Sequence, residues 1–186
     1  VNRSRNSFEQ LEMRALLSSA PSYSLVADLF STITPKGSEP KQLTQVGTTT
    51  FFVAKTEANG DQLWKTDGTT AGTVLVKDIV PGPASEYISQ LTNVGGKLFF
   101  SADDGAQGVE LWKSDGTNAG TVLLSDIRPG SENGSISSIT SVGSTIFFAA
   151  DDGIHGTELW KSDGTTASLV MDIRPGGTGS SIANLT

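Results

Sequence analysis

Trp64, Trp112 and Trp160 stand 48 residues apart, and nearly everything around them moves with the same step. The segment LWKTDGT recurs as LWKSDGT and again as LWKSDGT. Phe51-Phe52 returns as Phe99-Phe100 and Phe147-Phe148, and Val46-Gly47 as Val94-Gly95 and Val142-Gly143. An Asp-Ile-x-Pro-Gly element begins at Asp78, Asp126 and Asp172. Its last interval shortens to 46 because the third copy reads TTASLVMDI where the second reads TNAGTVLLSDI. The 186 residues therefore divide into repeats at 43–90, 91–138 and 139–184, and Leu185-Thr186 opens a fourth copy. Upstream, SLVADL at 24–29 matches the close of a repeat, so 22–42 reads as the last strand and connection of a preceding unit. Residues 1–21 are a leader outside the pattern. Self-similarity at such a period marks stacked supersecondary units rather than one irregular globule.

Each repeat holds four short β-favouring segments, A to D: in the second copy LTNVG, GKLFFSADD, VELWKSDG and TVLLSDI. Gly, Asp, Asn, Ser and Pro clusters of hairpin length separate them, and no helical period is present. Neighbouring strand residues point to opposite faces, so Leu98-Phe99-Phe100 and Leu111-Trp112 place large apolar side chains on both. Such a sheet is covered on both sides. A unit of about 48 residues cannot do that alone and needs a neighbour against each face. A β-solenoid has shorter coils without two tight hairpins per turn. Radial stacking gives a β-propeller, whose blades run to roughly 40–50 residues. The expected fold is all-β: a β-propeller-like array of four-stranded blades with three full repeats. The ring is incomplete, since closed propellers take about 4–8 blades. The remaining blades are expected from a longer chain.

Thirteen basic residues against twenty acidic give a net charge of −7, which argues against nucleic acid and anionic lipid as partners. There is no cysteine, hence no disulfide framework and no thiol nucleophile, and one histidine excludes mechanisms that need two. No apolar run approaches the roughly 20 residues of a membrane-spanning helix.

The recurring polar residues have a functional and a structural reading. The Ser/Thr-Asp-Gly-Thr turn carries Asp67-Gly68, Asp115-Gly116 and Asp163-Gly164, and could be a calcium or sugar loop. An identical turn in every unit is better explained by Asp capping backbone N–H groups and Gly supplying positive φ. Trp64, Trp112 and Trp160 could stack on sugars, but their identical placement favours packing between blades. Asp103-Asp104 and Asp151-Asp152 are the candidate calcium ligands, since calcium takes 6–8 oxygens; no EF-hand spacing accompanies them, and a solvated turn is favoured. No catalytic residue is expected: Glu110 and Glu158 have Gln62 as their counterpart, and a glycosidase needs two carboxylates about one bond. His155 reads as an exposed loop residue and Arg128 and Arg174 as surface arginines, Val80 taking the arginine's place in the first repeat. The A–B and C–D connections hardly vary. The B–C loops (KTEANGD, DDGAQGV, DDGIHGT) and D–A loops (VPGPASEY, RPGSENGS, RPGGTGSS) differ, and in an up-down blade these two share one end, the better candidate for a binding face.

Residues 110–117 and 158–165, both Glu-Leu-Trp-Lys-Ser-Asp-Gly-Thr, resemble the ELWxxDGT repeat family of bacterial proteins; the first copy departs at Gln62. About three quarters of the chain shares the resemblance, and the strands more loosely resemble the quinoprotein-type propeller blade. It implies a large secreted or surface-exposed propeller-like protein and carries over no catalytic residue. In the leader, Ser7-x-x-Gln10 could cap a short helix. Leu11-Glu12, Arg14 and Leu16-Leu17 resemble the LEPR-XLL segment of large bacterial surface proteins, with Met13 in place of its proline. That resemblance implies export.

The expectation is a non-catalytic scaffold, part of a secreted or cell-surface propeller, that binds an extracellular protein or polysaccharide without a cofactor. The alternative is an accessory or partial catalytic propeller of an extracellular polysaccharide-acting enzyme. A third option is calcium-dependent folding through the Asp-rich loops.

Overall fold

A computed structural model describes residues 37–56, 58–82, 87–182 and 185. The leader, the SLVADL segment and Thr186 lie outside the described residues. Twelve strands form three four-stranded antiparallel sheets, with no helix among the described residues. Sheet 1 is β1 (Lys41–Val46), β2 (Thr49–Lys55), β3 (Asp61–Thr66) and β4 (Val74–Lys77). Sheet 2 is β5 (Ile88–Val94), β6 (Lys97–Asp103), β7 (Val109–Ser114) and β8 (Val122–Ser125). Sheet 3 is β9 (Ser137–Val142), β10 (Thr145–Asp151), β11 (Thr157–Ser162) and β12 (Ala167–Met171). Strand order follows chain order in every sheet, so each is an up-down meander built from one repeat. The first strand of each sheet begins two or three residues before its repeat boundary.

Adjacent side chains of the second and third strands serve opposite faces. One apolar cluster joins Phe51, Val53 and Leu63 of sheet 1, and Ile79 just after it, to Leu98, Phe100 and Trp112 of sheet 2. A second joins Val94, Phe99 and Leu111 of sheet 2, and Ile127 just after it, to Ile146 and Phe148 of sheet 3, with Trp160 packed against it. Phe99 therefore faces forward, toward the following sheet, and Phe100 backward. Each face of sheet 2 is a core. At roughly 25 cal/mol per Å² of apolar area removed from water, the stability of the array resides mainly in these two seams.

The sheets meet along their first strands: β1 lies against β5 and β5 against β9. Thr44 Oγ1 donates to Leu91 O (3.0 Å), and Thr92 Oγ1 to Ile139 O (3.4 Å). Gln42, Gln90 and Ser138 have φ of 56°, 59° and 53°, each at a register shift against the second strand. These repeated bulges were not expected from the sequence, because no glycine or asparagine marks them. Gln42 uses its bulge to donate Nε2 to Ile88 O, in the next sheet, at 2.9 Å.

Candidate binding face

The turn between the third and fourth strands is held from within. Asp67 Oδ1 accepts from the N–H (2.9 Å) and hydroxyl (2.7 Å) of Thr69, and Asp115 Oδ1 does the same with Thr117. Those hydroxyl and N–H donors hold the Asp67 and Asp115 carboxyls below the usual range, and the Thr165 hydroxyl with the Thr165 and Thr166 N–H groups brings Asp163 to about 2. The third turn is two residues shorter. Ser162 Oγ donates to Thr166 O there, where Ser114 and Thr121 pair their hydroxyls in the second.

The same turn also joins sheets. Lys65 Nζ donates to Gly116 O at 2.7 Å and Lys113 Nζ to Gly164 O at 2.8 Å, so the lysines of the first two motifs grip the glycine of the next. At Gly116 (φ +87°) an added Cβ would lie 3.2 Å from the Phe51 ring. A pocket of about 120 Å³ lies at this junction, lined in part by Phe51, Lys65 and Asp115.

Glu110 is fully buried and holds the corner after β8. Its carboxylate accepts from Ile127 N–H (2.8 Å) and Arg128 N–H (3.2 Å). Burial pushes its carboxyl up to about 7, against those N–H groups and with repulsion from Asp126. Gln62 does the same work neutrally: Oε1 accepts from Ile79 N–H (2.9 Å) and Nε2 donates to Val80 O (3.2 Å). Glu158 accepts from Ile173, Arg174 and the Ser180 hydroxyl. Burial raises its carboxyl, but these donors outweigh that and leave it below the usual range. The motif glutamate is thus a corner brace. The Oδ1 atoms of Asp78, Asp126 and Asp172 are buried without a hydrogen-bond partner, as are Nε1 of Trp112 and Trp160. Trp64 Nε1 donates to Ala54 O at 3.1 Å.

At the other end, B–C and D–A loops of one repeat bond each other. Gly60 N–H donates to Gly82 O, Gly134 N–H to Val109 O and Ser180 N–H to Thr157 O. Asn133 Oδ1 accepts from Val109 N–H (2.9 Å), and a Cβ on Gly108 would strike Glu132 O at 2.5 Å. Asp103, Asp104, Asp151 and Asp152 lie here, but each turns an oxygen on its own loop. Gly105 N–H binds Asp103, Ala106 and Gln107 N–H bind Asp104, Gly153 N–H binds Asp151, and Ile154 and His155 N–H bind Asp152. Among the described residues no three acidic or histidine side chains converge on a point.

Two surface readings need correction. His155 is half-buried, its Nδ1 2.7 Å from Asp152 Oδ2, and that carboxylate raises the imidazole above its usual range. Arg128 pairs with Glu132 and with Asp151 of the next repeat (3.4 Å), and lies over Gly153. Val80, at the same repeat position, packs over Gly105. This position is therefore a seam contact that either an arginine or a valine can make. Ile154 stays 70% exposed at the loop tip.

No protein-family profile and no curated protein matches the chain. Among solved structures it is similar to the computationally designed Ika8 protein, at 15% identity and a TM-score of 0.42 over 78% of this chain. It is also similar to a puromycin hydrolase mutant complexed with PGG, at 15% identity and a TM-score of 0.29 over 70% of this chain. The chain spans 39% and 28% of the lengths of those two proteins. No helix among the described residues is long and apolar enough to cross a membrane.

Proposed function

We propose that these residues are a non-catalytic scaffold of consecutive blades in a propeller-like protein. In this reading the scaffold presents its B–C and D–A loops to an extracellular protein or polysaccharide, and further blades come from a longer chain. One observation carries the reading. Lys113, Asp115 and Glu110, which recur or have near-equivalents in every repeat, bond backbone groups, while the residues that differ between repeats, such as Gln107 and His155, gather at one end. Chemistry that recurs is consumed by architecture, and chemistry that varies is available to a ligand. The resemblances of residues 110–117 and of the leader support a secreted or surface setting.

Affinity electrophoresis of the chain through gels carrying alginate, xylan or dextran tests this. Retardation should be lost in the Ile154→Ser/His155→Ser variant and kept in Lys161→Ser, at the opposite end. The reverse pattern, or release of new reducing ends from any of these polymers, would overturn the reading.

A further inference from the structure

Repeats 2 and 3 carry the same Asp-Asp-Gly B–C loop, folded the same way. Gly105 N–H donates to Asp103 Oδ1 (2.8 Å), and Ala106 and Gln107 N–H donate to Asp104 Oδ1 (2.9 Å each). Gly153, Ile154 and His155 N–H serve Asp151 and Asp152 in the same way. One oxygen of each carboxylate is thus spent on its own loop. In repeat 3 the second oxygens hold nitrogen groups. Arg128 Nη1 lies 3.4 Å from Asp151 Oδ2, and its Nε lies 3.3 Å from the Cβ position of Gly153. His155 Nδ1 lies 2.7 Å from Asp152 Oδ2.

Repeat 2 has the loop without these partners. Val80 takes the arginine's place over Gly105, and Gln107 takes the place of the histidine. Among the described residues no lysine, arginine or histidine pairs with Asp103 or Asp104, and the preceding D–A segment, 79–87, contains no basic residue. Tyr87 stands there instead. Its carbonyl accepts from Asp103 N–H (3.0 Å), it continues the register of Ile88 opposite Ala102, and it is 49% exposed. Residues directly opposite share a face of the sheet with Cβ atoms about 4.5–5.5 Å apart, so an exposed ring and an unpaired carboxylate rise side by side. The other repeats have Ser135 and Ser181 at the place of Tyr87. Sheet 2 packs against a sheet on each face, so this loop has its neighbours on both sides.

We infer that the B–C loop of repeat 2 takes from a protein partner the guanidinium that repeat 3 takes from Arg128. The partner's arginine side chain donates to the second oxygens of Asp103 and Asp104 and lays its plane against the Tyr87 ring, an arrangement that suits a flat guanidinium better than an ammonium. The guanidinium seated on the twin loop, rather than the acidity of the pair, identifies this ligand. The inference rests on the loop end being the binding face, and narrows it to one loop and one side chain.

Amide chemical shifts of the 186-residue chain, titrated with a blocked Gly-Arg-Gly peptide to about 20 mM, test this, since one exposed charged contact gives millimolar affinity. The amides of Tyr87 and of 103–107 should move and saturate, and those of 151–155 should not. The same peptide with citrulline, which keeps the shape without the charge, should move none of them. Asp103→Asn keeps the oxygen that accepts Gly105 N–H and should weaken binding about threefold to tenfold; Tyr87→Ser, which copies Ser135, should weaken it about threefold. Val80→Arg supplies the guanidinium in cis, as Arg128 does, and should abolish the response with circular dichroism unchanged. No saturating shift in the wild type, equal shifts with citrulline, or undiminished binding in Asp103→Asn and Val80→Arg overturns the inference. So do amides that move with calcium chloride and not with the peptide. If the peptide fails while polysaccharide retardation still depends on Ile154 and His155, this inference falls alone and the binding face stands.

Discussion

Lys113 Nζ lies 2.8 Å from the carbonyl oxygen of Gly164, fifty-one residues along the chain and in the next sheet. The same lysine of the third repeat, Lys161, is exposed and has no such partner among the described residues. Replacing each with methionine separates the motif residue from its bond. Lys113→Met should cost about 1–2 kcal/mol, as for a charge-assisted hydrogen bond on a partly exposed side chain, and Lys161→Met should stay within about 0.5 kcal/mol. Urea unfolding at low protein concentration measures both.

Gly116 and Gly68 have nearly equal φ, +87° and +90°, but only Gly116 is backed by a neighbouring ring. Alanine at either position is strained by about 1–2 kcal/mol. Gly116→Ala must also push Phe51 aside, so it should be the more destabilising of the two by about 0.5–1 kcal/mol. Equal losses would mean that the turn is not part of the seam.

Glu110 sets a pH dependence opposite to that of a salt-bridged acid. Between its ordinary value of 4.5 and about 7, the unfolded chain has released this proton while the folded chain retains it. Stability should therefore fall as pH rises through that window and level off above it. His155, raised by Asp152, adds stability at low pH that is lost as pH climbs through its folded value. The turn aspartates act the other way: their lowered carboxyls supply stability above about 3.8 that is lost as pH falls through their folded values, about 2 for Asp163. Melting temperature should peak near pH 4–5. Glu110→Gln, which copies Gln62, should flatten the descending limb and at pH 8 should match or exceed wild type.

Loop N–H groups bind Asp104 and Asp152, and these bonds can close the Asp-Gly turns from within. Melts in calcium and in chelator should superimpose. Asp152→Ala should lower both equally, by about 1–2 kcal/mol for the lost turn and imidazole contacts.

The strands and their two-sided burial were legible because Phe99-Phe100 and Leu111-Trp112 leave a period-two strand no polar face. The turn's internal bonding was legible from Asp-Gly-Thr. The roles of Lys113 and Glu110 were not. The lysine's acceptor is a main-chain oxygen in another repeat, and the glutamate's donors are N–H groups 17 and 18 residues away. Backbone partners leave no trace in side-chain spacing. The bulges at Gln42, Gln90 and Ser138 were hidden for a similar reason, since tertiary contact holds ordinary residues at positive φ. At the loop end, the sequence placed Asp151 and Arg128 in different repeats but could not show that they touch.

Among the described residues, only sheet 2 is clamped from both sides, by Lys65 and Thr44 reaching into it and by Lys113 and Thr92 reaching out of it. With coupling only between neighbours, a sheet held along both faces opens later than one held along a single face. In amide exchange, β6 and β7 should therefore be the last strands to take up deuterium, while β12, with one covered side, exchanges among the first. Protection would grade along the chain rather than step at repeat boundaries, because the cooperative unit is the seam and not the repeat.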